Sequence, residues 1–445
     1  MALACTCAAG TAFGAGGSFR ILHHEALEIA AEKRAGAREQ VSFEAYGRRF
    51  DLELEPNERV LRALGKRTGA TPLRGTVEGA TKSWVRLTRS GNGRWHGMFS
   101  DGVDVYAVEP AADVSEALVQ PADARGSVIF RLSDAVLPTG AAHCGTVMQG
   151  DQPTALEALE SMGAEAGAAQ TAAGATADGA SASPTKRLLV GVVADSEFAR
   201  FFDGQGTGAE QAIVQRMNIV DGIFSSQLGV RIELAAPTVF RAANDPFTRS
   251  NANELLDELR RYRAGSSQEM SRGITHLMTG RDMDGETVGI AYLGSVCGGG
   301  AASSLSEGTR STTSAALIAA HEIGHNFNAP HDGDAGRACA ATPQTFLMAP
   351  RLNGSQQFSS CSVQEMSPLA TSGWCMADVG PSDTTTVPDP AAPPNPGGGG
   401  DSSGGPGSSP PTEEGGGGPM GLAALAMLAG CGLAARSRLG RSKTV

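Results

Sequence analysis

From about residue 20 to 150 the apolar positions first recur at helical spacing, over Glu25 to Ala35, which predicts a helix there. They then alternate with polar ones in short runs such as Val41 to Leu54 and Trp84 to Thr88, with Gly91-Asn92-Gly93 as a turn signal. A small β-rich domain is expected. At Lys186 the pattern changes, and Leu188 to Ala194 forms a near-continuous apolar run, as in a strand buried on both faces. Helical spacing follows at Ala209 to Leu228 and Asn253 to Arg263, with strands predicted at Val230 to Ala235, Ile274 to Met278 and Val288 to Leu293. Alternating β and α elements imply an α/β domain whose sheet carries crossover helices, over residues 186–378.

The remaining stretches have no such periodicity. Residues 151–185 are a run rich in Ala, Gly and Ser with no Lys or Arg and almost no large apolar side chain, so they read as a flexible linker. Residues 379–419, rich in Pro, Gly, Ser and Thr, read as a solvated stalk. Residues 1–19 are uncharged and suit the apolar part of a signal peptide, although no Lys or Arg precedes them. In residues 420–445, sixteen uncharged positions from Met420 to Ala435 precede Arg436, Arg438, Arg441 and Lys443. That run is shorter than the roughly 20 apolar residues that cross a bilayer, and its basic end would stay cytoplasmic.

Composition narrows the function classes. There are 36 Lys plus Arg against 47 Asp plus Glu, a net charge of -11, which argues against nucleic acid as a partner. With 59 Gly, 23 Pro and 5% aromatic residues, much of the chain is linker rather than core. The eight cysteines are uneven: Cys5 and Cys7 lie at the start, Cys431 in the apolar tail and Cys144 alone in the middle. The other four, Cys297, Cys339, Cys361 and Cys375, share one domain and suggest two disulfides and an oxidising compartment outside the cytoplasm. Sequence alone allows three pairings. A zinc site built from these cysteines is the rival, but they lack close C-x-x-C spacing.

Residues 321–332, reading HEIGHNFNAPHD, hold three of the eight histidines. On a helix, positions i and i+4 share a face, so His321 and His325 can direct ring nitrogens at one ion while Glu322 projects beside them. Thr312, Thr313 and Ser314 are N-cap candidates, and Ala315 to Ala320 are mostly good helix formers. His331 lies too far round a continuing helix to share that ion, so the chain must turn sharply after His325. Pro330 discourages further helix, and Asn328 stands where a residue tolerant of positive φ is needed. The plain alternative is an ordinary polar helix face.

Residues 321–332 resemble the extended zinc motif of the metzincin peptidases, and Asp332 after the third histidine resembles the adamalysin or reprolysin (ADAM-type) branch. The resemblance spans most of residues 75–375, with Gly75 to Arg86 similar to the family's propeptide and Leu188 to Asp195 to its first catalytic strand. One departure is Asn328, where the family usually has glycine. The resemblance implies a metzincin catalytic domain, a twisted mixed sheet with long helices, an active-site helix and a Met-turn, preceded by a β-rich prodomain over residues 20–150. It further implies a Met-turn at Phe346 to Pro350 with Met348 beneath the histidines, where the plain reading is a core methionine. Gly289 to Gly294 resembles the edge strand along which substrate lies. Family position suggests Cys297 with Cys375 and Cys339 with Cys361. His143-Cys144-Gly145 is similar to a cysteine switch, in which a thiolate occupies the open zinc position; the alternatives are a buried thiol or a disulfide with Cys5, Cys7 or Cys431.

The function so implied is a secreted or surface zinc endopeptidase, monomeric and made as a latent zymogen. His321, His325 and His331 hold one Zn²⁺, and Glu322 is general base to a zinc-bound water. Substrates are proteins or peptides. A calcium ion is common in the family, but no ligand set here is convincing. Cutting at the Ala-rich linker would activate the enzyme, and the tail resembles a GlyGly-type sorting signal, with a simple membrane anchor as the alternative. An anchored adhesin with structural zinc and no turnover is the rival from another class, which the intact Glu322 opposes. A zinc hydrolase acting on a non-peptide substrate is the third.

Overall fold

The computed structural model describes residues 19–35, 38–62, 69–136, 143–147, 184–309 and 311–380. The expected signal segment, linker, stalk and apolar tail, with Cys5, Cys7 and Cys431, fall outside these residues apart from a residue or two at their edges. Among the described residues, no helix is long and apolar enough to cross a membrane.

The first sheet is antiparallel and has nine strands. In chain order, after a two-residue strand β1 (Arg20–Ile21), come β2 (Glu25–Ala26), β3 (Ile29–Ala35), β4 (Arg38–Ala45), β5 (Arg48–Pro56), the short helix α1 (Glu58–Leu61), β6 (Ala70–Val77), β7 (Trp84–Ser90), β8 (Trp95–Ser100), β9 (Val105–Pro110) and β10 (Ser127–Arg131). Strand β11 (Ala135–Val136) pairs with β1 outside this sheet. The helix predicted over Glu25 to Ala35 is absent: β3 pairs antiparallel with β4, placing Glu32 opposite Val41 and Lys33 opposite Gln40. Good helix formers dominate this stretch, but helix propensities differ by less than about 0.7 kcal/mol per residue, and Leu27 and Ile29 gain more by packing on the sheet's apolar cluster. The single run Val41 to Leu54 is two strands, folded at Tyr46-Gly47, where both residues have positive φ (54° and 68°) as a two-residue hairpin of type I′ requires.

This sheet curls. Strands four places apart in a flat sheet would stand about 19 Å apart, yet the Phe43 ring on β4 lies 6.0 Å from that of Phe99 on β8. The inward faces of both, with Val41, Leu52, Val85 and Leu87, make one apolar cluster.

The second sheet is mixed and runs β12 (His143–Val147), β17 (Thr287–Tyr292), β18 (Ser303–Glu307), β16 (Ile274–Thr279), β13 (Lys186–Ala194) and β14 (Val230–Leu234), with β15 (Thr238–Val239) and β19 (Ala377–Asp378) also on β13. Parallel pairing of β13 with β14 and β16 requires crossovers, supplied by α2 (Ser196–Gly204), α3 (Ala209–Gln227), α4 (Ala252–Ala264) and α5 (Ser267–Met270). Then follow α6 (Thr312–Asn326) and α7 (Ser360–Ser372). Leu188 to Ala194 lies mid-sheet and is buried except at Leu189.

The two sheets meet across α3. Successive side chains of a strand face opposite ways, so β7 sends Val85 and Leu87 into its own cluster and Trp84, Arg86, Thr88 and Ser90 towards α3. Helical spacing answers them. Trp84 and Arg86 pack where a Cβ on Gly222 would meet both at 2.7 and 2.6 Å, Arg86 reaches Asp221 at 2.8 Å, and Asn218 and Gln215 donate to the Thr88 and Ser90 hydroxyls at 3.3 Å each. Trp84 and Met98 thereby join the same apolar core as Ile219, Val220 and Ile223. Burial alone would raise the Asp221 carboxyl, but Arg86 and Arg59 outweigh it and hold it at about 2.

A second polar tie ends on α6. Glu109 of β9, fully buried, accepts from the Thr313 amide at 2.6 Å, one of the orphan amides at that helix's start. Burial pushes its carboxyl up to about 7, against the opposing Thr313 hydrogen bonds; Asp113 adds to the rise and Arg216 opposes it. A carboxyl whose folded value lies above its unfolded one stabilises the fold at low pH, and this contribution is lost as pH climbs from about 4.5 to 7. Denaturant titrations should therefore show wild type losing about 3 kcal/mol relative to Glu109→Gln across that window, Gln retaining the acceptor. Parallel pH profiles for the two proteins would refute this assignment.

Candidate metal centre

The cap of helix α6 lies one residue before the predicted candidates: the Ser311 hydroxyl, not Thr312, Thr313 or Ser314, accepts from the Ser314 amide at 3.2 Å. An Ala-rich run then carries His321, Glu322 and His325 into the interior, where all three are fully buried. The helix stops at Asn326 by a Schellman arrangement. Ala329 donates to the Gly324 carbonyl at 3.1 Å and Asn328 to that of His325 at 2.8 Å, with Asn328 at φ +86°. Asparagine thus supplies the left-handed residue that glycine more often provides. The reversed chain brings His331 back to the histidine pair.

The Nε2 atom of His325 lies 2.9 Å from that of His321 and 3.2 Å from that of His331. Each Nδ1 is already engaged: His321 with the Leu347 carbonyl at 2.6 Å, His325 with the Ala329 carbonyl at 2.6 Å and His331 with Asp334 Oδ2 at 3.3 Å. Carbonyls and carboxylates only accept, so the Nδ1 atoms carry the protons and the three Nε2 atoms are bare when the rings are neutral. Neutrality is enforced by burial, which together with the neighbouring His331 lowers His321 to about 3 and, with both neighbours, sends His325 well below its ordinary value. Three bare nitrogens facing one another repel unless a cation sits between them. Three imidazole nitrogens on one tetrahedral zinc would stand about 3.3 Å apart, close to the observed spacings, so the donor set fits that ion.

Glu322 stands beside the trio. Burial pushes its carboxyl well above the ordinary range, only partly opposed by the Cys144 thiol that faces it, and neither oxygen has a conventional hydrogen-bond partner among the described residues. Space for it comes from β17: a Cβ on Gly289 would lie 2.3 Å from Glu322 Oε1. The sequence reading placed Gly289 on an edge strand but gave no reason for a glycine there.

Beneath the helix lies the turn Phe346 to Pro350. A Cβ on Gly324 would approach Met348 Sδ to 2.8 Å, so the glycine between the histidines lets the fully buried Met348 pack against α6. The same turn accepts from the Asp332 amide through the Met348 carbonyl at 2.9 Å. Asp332 in turn accepts from the Ser359 hydroxyl at 2.8 Å and the Ser362 hydroxyl at 3.3 Å, tying the third histidine's neighbour to the start of α7. No pattern in the sequence marks that tie, because its partners lie far along the chain.

Of the four cysteines in this part, Cys297 is bonded to Cys375 and Cys339 to Cys361. Cys144 belongs to neither disulfide. It is fully buried on β12, which pairs parallel with β17 so that Cys144 lies opposite Gly289. Its amide donates to the Pro350 carbonyl at 3.1 Å, so β12 lies between β17 and the turn. The Cys144 sulfur, a His321 nitrogen and a Glu322 oxygen all fall within 4.8 Å of one another.

Residues 184–359 match a family model described as Reprolysin_5, Metallo-peptidase family M12. This stretch is a reprolysin-type metallopeptidase domain. The chain is similar to part of "Zinc metalloproteinase-disintegrin-like atrase-A" of Naja atra, 34% identical over 26% of this chain and 19% of that protein. It is also similar to "Disintegrin and metalloproteinase domain-containing protein 9" of Homo sapiens, 25% identical over 45% of this chain and 24% of that protein. The chain thus spans about a fifth to a quarter of the length of these relatives. Among solved structures, metalloproteinase-II from Bacteroides fragilis aligns with a TM-score of 0.40 at 10% identity, covering 75% of this chain and 92% of that one.

The Gly289 contact makes a prediction independent of the metal ligands. Gly289→Ala should displace the Glu322 carboxylate and lower any hydrolytic rate at least tenfold, while equilibrium dialysis still finds one zinc per chain. A fully active Gly289→Ala protein would show that Glu322 does not need its present position.

Proposed function

We propose that the protein is a zinc-dependent endopeptidase, made latent by its own segment at residues 143–147. The observation that carries this reading is the buried trio of bare Nε2 atoms with a carboxylate, Glu322, at its side, faced only by the Cys144 thiol among the described residues. The family match and the zinc metalloproteinase name of the Naja atra relative support it. His321, His325 and His331 would hold the ion, whose Lewis acidity, when bound, lowers the pKa of water and polarises a peptide carbonyl. Glu322 accepts the proton of the attacking water and passes it to the departing amine, a role suited to a carboxyl whose proton affinity is raised by burial. Met348 supports the histidine-bearing helix from below. A peptide substrate would lie along the outer edge of β17, drawing affinity from main-chain hydrogen bonds.

That same edge is taken by β12, and Cys144 is the residue brought next to His321 and Glu322. Thiolate is a strong zinc ligand, so Cys144 would compete for the open position while β12 covers the peptide-binding edge. Latency then has two sources, one at the metal and one at the backbone. The disulfides Cys297–Cys375 and Cys339–Cys361 support an oxidising compartment outside the cytoplasm, as a secreted or surface protein. A structural zinc in an adhesin would need no free carboxylate beside it, so the endopeptidase reading is preferred.

Two variants test this. Glu322→Gln should still bind one zinc per chain but hydrolyse casein at least a hundredfold more slowly, wild-type hydrolysis being abolished by a chelator. Unaltered turnover in Glu322→Gln would remove it as the base. For Cys144→Ala, the uncut full-length chain should show measurable peptidase activity where uncut wild type shows little. Equal latency in the two proteins would leave the β12 backbone as the whole block and dismiss the thiol.

A further inference from the structure

We propose that Asp334 is a positioning residue, holding the His331 ring in register for the metal through its Nδ1. The inference rests on the zinc reading above. It starts from an asymmetry among the three histidines. His321 and His325 give their Nδ1 protons to backbone carbonyls, each at 2.6 Å, and those carbonyls are fixed by the turn below the helix and by its C-terminal cap. Among the described residues, His331 has no such backbone partner. Its Nδ1 meets a side-chain carboxylate, Asp334 Oδ2, at 3.3 Å. It also lies beyond the helix, on a chain that has just reversed at Asn328. The ligand least fixed by secondary structure is thus the one steered by a charged side chain.

The loop bearing Asp334 is built to keep it there. Gly333, at φ +81°, donates to the Cys339 carbonyl at 2.9 Å, and Arg337 donates to the Asp334 carbonyl at 3.2 Å. Cys339 is bonded to Cys361 of α7, so both ends of the loop are anchored. His331 is 5% exposed and the Asp334 side chain 43% exposed. As a bare surface ion pair this contact would be worth little. Its consequence lies elsewhere: a carboxylate on Nδ1 fixes the tautomer that leaves Nε2 bare, orients the ring and makes that nitrogen a stronger donor than a carbonyl partner can.

The test measures zinc release from the full-length protein to a chromogenic chelator, alongside the melting temperature of the metal-free protein. Asp334→Ala should release zinc ten- to a hundredfold faster than wild type. Asp334→Asn, which keeps the shape and loses the charge, should also be faster, and Asp334→Glu should recover most of the loss. Metal-free melting temperatures should agree among all four proteins, because the carboxylate acts on the ligand and not on the fold. Wild-type release rates in Asp334→Ala and Asp334→Asn would overturn the proposal, as would faster release accompanied by an equal drop in metal-free stability. Wild-type protein that binds no zinc would instead overturn the zinc reading on which this inference stands.

Discussion

Three imidazole nitrogens, all without protons, point at one another in a region from which water is excluded. Left alone they repel, and relaxation would rotate the rings apart, so the fold has to hold each ring from behind. It does so from three separate parts of the chain: the Leu347 carbonyl, the Ala329 carbonyl and the Asp334 carboxylate. Those holders are themselves bound together. The Asp332 amide reaches the Met348 carbonyl, Asp332 accepts from Ser359 and Ser362, and Cys339 is joined to Cys361. The histidine cluster is therefore the knot at which α6, the turn beneath it, the following loop and α7 are fastened. Gly324 and Gly289 serve the same end by leaving room, one for Met348 and the other for Glu322.

The N-terminal sheet extends this constraint to the far side of the helices. Helix α3 carries Gln215, Arg216, Asn218, Asp221 and Ser225, which in an ordinary surface helix would face solvent, yet all are buried. Buried polar groups are costly unless satisfied, and here several of the satisfying atoms come from the β-rich region: Arg86, Asn57, Thr88 and Ser90. Glu109 does the same at the start of the histidine-bearing helix. The β-rich region consequently shares the core and the polar network of the metallopeptidase stretch, and its removal would open a large, mixed polar and apolar face on α3.

Much of the site was legible in sequence because its geometry is local. The i, i+4 spacing of His321 and His325 follows from helix pitch, and Pro330 with Asn328 announces the reversal that returns His331. The core strands and long helices of residues 186–378 were legible for a similar reason, since a long periodic run leaves few alternatives. What stayed hidden depends on distant partners. The strand at Ile29–Ala35 is made by pairing with β4 against its own helix-forming composition. The requirement for glycine at 289 exists only because Glu322 arrives from another element, and the roles of Asp332 and Glu109 exist only because Ser359 and Thr313 do.

On the proposed reading, the position of β12 is what would make latency and catalysis exclude each other. Its five residues use the edge of β17 along which a peptide substrate is proposed to lie, and its ends are held by bonds from His143 to Glu286 and from Leu293 to Val147. Each such bond contributes only about 1 kcal/mol net, so as a free peptide this segment would be a weak ligand. It is not free. As part of the same chain it acts at a raised effective concentration, against which a separate protein substrate would compete poorly. Cutting the chain between residues 147 and 184 would leave this segment joined to the β-rich region that packs on α3, so that region would also have to leave before the advantage is lost. On that reading weak backbone pairing and a metal-binding thiol would be complementary: the first depends on how the segment is held in the chain, the second on the state of the sulfur.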